Sequence, residues 1–203
     1  MRKTTIYIMI FLIAVIFTGC SSLGPKIIEK SSSKERWVKS ENLYFEENDA
    51  LYFRGEVGGV YDLALGKRQA EADAKKRLVE AVSSELTSEY REFIRGSNTV
   101  PGDVGRFVDD ALESVSRQVN VSGMLAEKAY WERLVERSEK EGSKPYYHIF
   151  SLVRIAKKDY EASKDRVVRG LLDKTKTDKN KEAEQMIEEW KRRRDGGLPE
   201  QNR

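Results

Sequence analysis

The side chains in this sequence with the widest range of chemistry are a lone cysteine and a lone histidine, Cys20 and His148. One thiol cannot form an intrachain disulfide, and one thiol with one imidazole does not supply the ligands of a structural zinc site. His148 lies in a strand-like segment, where an imidazole is far more often structural than a general base. The carboxylates alternate with Lys and Arg along helical segments, as on solvated helix faces. The sequence therefore predicts no catalytic residue, no metal site and no enzymatic activity.

Cys20 follows a segment that has the parts of a secretory signal. Arg2 and Lys3 precede an apolar run of 12 residues, from Ile6 to Phe17. A membrane-spanning helix needs about 20 apolar residues, so this run predicts a secretory signal and not a permanent span. The residues 17–20 (FTGC) resemble the bacterial lipoprotein box, in which the cysteine sulfur is alkylated by a diacylglyceryl group.

That resemblance implies a signal peptide over residues 1–19 and a mature chain that begins at Cys20. Cys20 would carry diacylglyceryl and N-acyl chains, and no other cofactor is expected. Two or three acyl chains hold a protein on a bilayer essentially permanently. Ser21 stands where Asp would favour the inner membrane, which implies the outer membrane with the domain in the periplasm. The alternative is an uncleaved N-terminal anchor with a free cysteine.

The charge of the mature chain is almost balanced. Removing residues 1–19 takes away two of the 37 basic side chains and none of the 34 acidic ones. Nucleic-acid binding requires a concentrated basic surface. The balanced charge therefore predicts no nucleic-acid partner. The lipid anchor implies the membrane as one partner, and an unidentified envelope protein or self-association is the other expected contact.

Composition divides the rest of the chain into three parts. Residues 20–42 are rich in Ser, Lys and Glu and predict a flexible tether, in which Trp37 and Val38 are expected to dock on the domain. Residues 43–175 carry the regular apolar patterns of an α+β domain. Residues 176–203 predict a charged C-terminal helix and a frayed tail.

The patterns within the domain predict long helices and a small antiparallel sheet. A strand is expected over residues 50–57, and Asp62 can cap a long helix with apolar residues at helical spacing from Ala70 to Phe93. A second helix follows over about residues 103–118 and a third over 158–174, with a final helix at about 179–194. Residues 124–136 and 146–156 predict two more strands joined by a polar loop. The predicted fold is α+β, with about three antiparallel strands packed on long helices and a C-terminal helical extension.

Two features of the sequence could bind a partner. In the last strand, Tyr146, His148, Phe150 and Leu152 point away from the predicted core and form a half-apolar row, which Trp131 could join; the candidate partner-binding residues are Trp131, Tyr146 and Phe150. The alternative is that a terminal helix or the Trp37 segment covers this row. The run Lys191, Arg192, Arg193 and Arg194 is a candidate contact for an anionic surface, and its alternative is a solvated helix C-terminus.

Three segments resemble a known bacterial family. They are Leu51–Val57 (LYFRGEV), Arg68–Leu78 (RQAEADAKKRL) and Tyr147–Ile155 (YHIFSLVRI). These segments are similar to the Lpp-twenty-type lipoproteins, small envelope proteins of which some are associated with the outer-membrane disk of a flagellar motor. The resemblance covers about residues 37–160. It implies an α+β domain with a small antiparallel sheet backed by helices, and it brings no catalytic residues.

These observations lead to a hypothesis of a lipid-anchored envelope protein that acts as a non-catalytic assembly or protein-binding module at the outer membrane. The alternative is a periplasmic regulator of a cell-wall-synthesis enzyme, although the tether is short for that role. A hydrolase that uses carboxylates is a third hypothesis.

Overall fold

The computed structural model describes residues 24–96, 102–118, 121–136 and 144–196, and within them the protein has an α+β fold. A five-stranded antiparallel sheet carries the long helices on one of its faces. In chain order, the elements are β1 (Lys26–Lys30), α1 (Arg36–Lys39), β2 (Tyr44–Glu47), β3 (Ala50–Val60), α2 (Leu63–Arg95), α3 (Gly102–Gln118), β4 (Leu125–Val135), β5 (Tyr146–Ala156), α4 (Lys157–Thr177) and α5 (Lys181–Gly196).

The sheet has three long strands in its centre and a short strand at each edge. The strand order is β1-β4-β5-β3-β2, and every neighbouring pair is antiparallel. The central strands β4, β5 and β3 each have 11 residues and correspond to the three strands that the sequence predicts. The two edge strands come from the N-terminal region, so the predicted number of about three strands was too low. Apolar periodicity does not reveal such short, mostly exposed strands.

Helix α2 packs closely on the sheet because small residues meet at the contact. The Asp62 side chain accepts a hydrogen bond from the Leu65 backbone N–H at 2.7 Å, which confirms the predicted N-cap. A Cβ atom on Gly55 would lie 2.1 Å from the Ala70 backbone oxygen, so the helix approaches β3 as closely as glycine allows. The predicted stripe is buried as expected, at Ala70, Ala74, Leu78, Val82, Leu86, Tyr90 and Phe93.

The other long helices complete a layer over α2, and the last of them belongs to the same core. Helix α5 was predicted as an extension, but Ala183, Ile187 and Trp190 are buried in the main apolar cluster. The Trp190 ring lies edge-on to the Tyr90 ring, with 5.3 Å between the ring centroids. The Tyr90 hydroxyl donates a hydrogen bond to the Met186 sulfur at 3.0 Å. The last described helix is thus an integral part of the fold.

The segment predicted as a tether contributes to the domain from Lys26 onward. Strand β1 pairs with β4 at one edge of the sheet, and β2 pairs with β3 at the other edge. Residues 31–43 connect these strands by crossing the face opposite the long helices. We call residues 31–43, which include α1, the strap, and the face beneath it the outer face. None of the helices in the described part of the chain combines the length and apolar composition of a membrane-spanning helix.

Candidate functional site

The row predicted on β5 lies on the outer face, where the strap covers part of it. Phe150 and Leu152 form a small apolar cluster with Trp37, Val38 and Tyr130. Phe150 is only 5% exposed, and Trp37 above it is 8% exposed. The structure therefore corrects the prediction that Phe150 contacts a partner, because the docked Trp37 segment already occupies that surface. Docking of Trp37 and Val38 is confirmed.

Trp131 does not join this row, because it lies on the opposite face of the sheet. Trp131 is the cross-strand partner of Ile149, and cross-strand partners share a face. Its ring meets Tyr147 edge-on at 5.6 Å between centroids. The neighbouring residue Tyr130 pairs with Phe150 instead, with ring centroids 6.1 Å apart. Tyr130 was not predicted from the sequence, because side chains alternate between faces and a one-residue difference in register exchanges the two faces.

The strap is held down by Arg54, a buried side chain that the sequence analysis did not single out. Its Nη1 donates hydrogen bonds to the backbone oxygens of Trp37 at 3.4 Å and Val38 at 3.1 Å, and also to that of Ser40. These carbonyls lie at the end of α1, where helical carbonyls lack partners within the helix. A guanidinium group with several donors in a fixed geometry suits this arrangement. Tyr52, Arg54 and Glu56 alternate along β3 and therefore share one face of the strand. This alternation is the feature of the sequence that could have identified Arg54.

A second polar contact holds the beginning of the strap. The Lys34 Nζ lies 3.3 Å from Glu132 Oε1, and the Tyr130 hydroxyl donates to the same oxygen at 2.8 Å. Burial, with the hydrogen bond and the charge of Glu132, raises the pKa of Tyr130 to about 12. Lys34 also lies over the Phe150 ring at 5.5 Å from its centroid. The apolar cluster beneath the strap is therefore flanked by two charged side chains, Arg54 and Lys34.

His148 packs as a structural side chain at the border of this cluster. Its ring centroid lies 4.4 Å from that of Phe150. Its Nε2 is 3.9 Å from Glu56 Oε1, which is longer than a hydrogen bond. The same Glu56 side chain lies 3.6 Å from the Arg54 guanidinium. Glu56 therefore lies between His148 and Arg54, the side chain that holds the strap.

Aromatic side chains remain accessible at one end of the sheet, where β5 begins. Tyr146 and Tyr61 line a shallow cavity of about 490 Å³, and Tyr61 is strongly exposed. Tyr147 and Trp131 lie partly exposed on the other face, with the Arg133 guanidinium 5.9 Å from the Tyr147 centroid. We call Tyr61, Trp131, Tyr146 and Tyr147 the aromatic end. Two of the three predicted partner-binding residues, Trp131 and Tyr146, belong to it, although on opposite faces.

The predicted basic cluster on α5 is divided by its own contacts. Arg194 pairs with Asp165 of α4, and Arg193 pairs with Glu189 at 2.5 Å while it lies over the Phe93 ring. Among the described residues, neither Lys191 nor Arg192 has an ion-pair partner. Arg193 and Arg194 therefore contact other side chains of the helix layer. Of the four residues in the cluster, Lys191 and Arg192 are left to contact an anionic surface.

Cys20 and the predicted signal peptide lie outside the described residues. Comparison with protein-family models, with curated proteins and with solved structures finds no match to this chain.

Proposed function

We propose that this protein is a lipid-anchored component of the bacterial envelope that acts, without catalysis, as an assembly or protein-binding module at the outer membrane. The observation that carries the proposal is the position of Cys20. It ends the signal-like apolar run, and the first strand of the fold begins at Lys26, six residues later. A chain that enters a folded domain so soon after a lipidated cysteine holds that domain at the membrane surface.

The short spacer also bears on the alternative function. Six residue steps span at most about 22 Å when fully extended, at up to about 3.6 Å per residue. A regulator of a wall-synthesis enzyme would need a longer reach to cross the periplasm. The geometry therefore favours a partner close to the membrane.

The aromatic end is the surface that we propose for protein binding. Trp and Tyr are enriched among residues that dominate binding energy at interfaces, as is Arg. Trp131, Tyr146 and Tyr147 are partly exposed, and Arg133 lies over the Tyr147 ring. Phe150, which the sequence suggested, is replaced in this proposal by Tyr61 and Tyr147. Membership in the Lpp-twenty-type family, with its envelope location, is part of the same proposal and is supported by the three similar segments.

Photo-crosslinking in the native host tests anchoring and binding together. A photoreactive amino acid would replace Trp131 or Tyr146, with Gln69, exposed on α2, as the matched control position. We expect an adduct of the same mass at positions 131 and 146, found in the membrane fraction, and none at position 69. In a Cys20→Ser background, the protein and its adduct should leave that fraction.

Two results would contradict the proposal. Absence of adducts at both aromatic positions would remove the aromatic end as a binding surface. A Cys20→Ser product that stays in the membrane fraction with its leader attached would instead support the uncleaved anchor.

A further inference from the structure

Strand β1 exposes two adjacent isoleucines at one edge of the sheet. Among the described strands it is the outermost on its side, and it pairs with β4 alone. Ile27 and Ile28 are 48% and 47% exposed. Edge strands of globular proteins usually carry charged side chains that discourage contact with other molecules. Two adjacent exposed isoleucines indicate that this edge meets an apolar environment.

A bulge in the strand contributes to this exposure. The register shifts between Ile27 and Glu29, so that Ile28 has no cross-strand partner on β4. An extra residue of this kind bends a strand and redirects its side chain. The bulge therefore leaves Ile28 free of the β4 ladder.

The two isoleucines lie between free positive charges. Lys26 and Lys30 are exposed at the two ends of β1. Within the described parts of the chain, neither of them pairs with a carboxylate, whereas Glu29 between them is paired with Arg133 at 3.5 Å. The edge thus presents an aliphatic centre with a lysine at either end. This composition suits the boundary between lipid headgroups and acyl chains.

The chain before β1 limits how far this edge can lie from Cys20. Five residues lie between Cys20 and Lys26, and these six residue steps permit at most about 22 Å. The opposite edge, β2, is four strand spacings away from β1, or about 19 Å at roughly 4.8 Å per spacing. An anchor on Cys20 therefore keeps the start of β1 within about 22 Å of the bilayer. That reach slightly exceeds the width of the sheet, so the charge of the two edges decides between them: β1 carries the exposed Lys26 and Lys30, whereas β2 carries the exposed Glu46 and Glu47.

We propose that the β1 edge is the surface by which the domain rests on the membrane. Ile27 and Ile28 enter the interfacial region, and Lys26 and Lys30 contact the phosphates of anionic lipids. The sheet then stands with β1 toward the bilayer and β2 away from it. This inference rests on the proposed lipidation of Cys20 and adds an orientation to it.

The test uses full-length protein purified from the membranes of its native host and reconstituted in vesicles of phosphatidylethanolamine and phosphatidylglycerol. An environment-sensitive fluorophore would be attached to Ile27→Cys, and to Tyr44→Cys on β2 as the matched control, since Tyr44 is 55% exposed at the other edge. The lipidated Cys20 does not react with the label. We expect spin-labelled lipids to quench the probe at position 27 several-fold more strongly than the probe at position 44.

Mass spectrometry of the same samples separates the two ways in which the proposal could fail. Lipidated, vesicle-bound protein with equal quenching at both positions would overturn the orientation and leave the proposed anchor intact. A bare Cys20 in protein that does not bind vesicles would overturn both.

The contribution of the lysines is tested by a double variant, Lys26→Gln with Lys30→Gln. We expect it to reduce quenching at position 27 in vesicles with phosphatidylglycerol and to have no effect in vesicles of zwitterionic phosphatidylcholine. Lys191→Gln with Arg192→Gln is the matched control at a basic pair on α5 that is unpaired within the described residues. If only this control variant reduces membrane contact, the domain rests on α5 and the proposal is wrong.

Discussion

The two faces of the sheet are covered in different ways. On the helix side, one large cluster joins residues from four helices, and side chains such as Leu78, Leu86 and Leu112 are fully buried. On the outer face, the apolar cluster has five buried residues; Trp37 and Val38 belong to the four-residue helix α1, which covers the other three. The helix side is stabilised by apolar burial shared among many residues. The outer face depends on a few aromatic contacts and on the hydrogen bonds of Arg54.

This difference predicts that the two coverings respond differently to perturbation. Proteins open locally where few apolar contacts hold a segment. The strap should therefore detach from the outer face while the helix side stays folded. The helix side should unfold only as a unit with the central strands.

The largest effect is expected from an added methyl group between the sheet and α2. In Gly55→Ala the new Cβ would meet backbone atoms of Ala70 and Ala74, which cannot move aside without shifting the helix. Overpacking of this kind costs about 3 kcal/mol. Denaturant unfolding checks the loss. Gly58→Ala is the control, since its Cβ would meet only His148 Cδ2 at 3.8 Å, and we expect a change of at most about 0.5 kcal/mol. Equal losses in the two variants would contradict the close contact.

A smaller and more local effect is expected when the hydrogen bonds between Arg54 and the strap are removed. Arg54→Met keeps much of the apolar stem but loses the hydrogen bonds to the α1 carbonyls, with a cost of about 2 kcal/mol. Hydrogen exchange should accelerate in residues 26–47 and stay unchanged in α2. Arg193→Met, which removes a surface arginine from the helix side, should change neither region. Uniform acceleration throughout the Arg54→Met protein would show that the two coverings are one cooperative unit.

The smallest expected effect concerns alkaline pH. Because burial raises the pKa of Tyr130 from about 10 to about 12, the folded state keeps this proton when the unfolded state has lost it. The resulting stabilisation is complete below about pH 10 and is lost as pH rises toward about 12. Near pH 11 the loss is about 1 kcal/mol. Burial also raises the pKa of Tyr90 and Tyr160 on the helix side, so they add to the same decline.

Denaturant unfolding between neutral pH and about pH 11 measures this decline. Tyr130→Phe should make it shallower. Tyr61→Phe, which removes an exposed hydroxyl, controls for the loss of a tyrosine and should leave the decline unchanged. An unaltered decline in Tyr130→Phe would show that the outer-face cluster does not exclude water as the structure indicates.

Local patterns in the sequence were sufficient to predict most of the helix side. The strands at the edges of the sheet were not predicted, because their pairing joins distant parts of the chain. The stripe from Ala70 to Phe93 and the Asp62 cap depend on neighbours within a few turns, so their spacing is visible in the sequence. Strand β1 pairs with a strand about a hundred residues away, and its polar composition gave no sign of it. The face of Trp131 depends on the register between β4 and β5, which alternation alone does not fix.

The order in which the edges of the sheet can form follows from the strap. Strands β1 and β2 belong to the first part of the fold to be synthesised, but β1 has no partner until β4, at residues 125–135, has been made. Contacts between such distant segments slow folding, because a long loop must close before they form. Strand β2 can pair with the adjacent β3 at once, whereas β1 and the strap have no surface to dock on until β4 and β5 have been made. We therefore expect the docking of β1 and the strap to be among the last steps of folding.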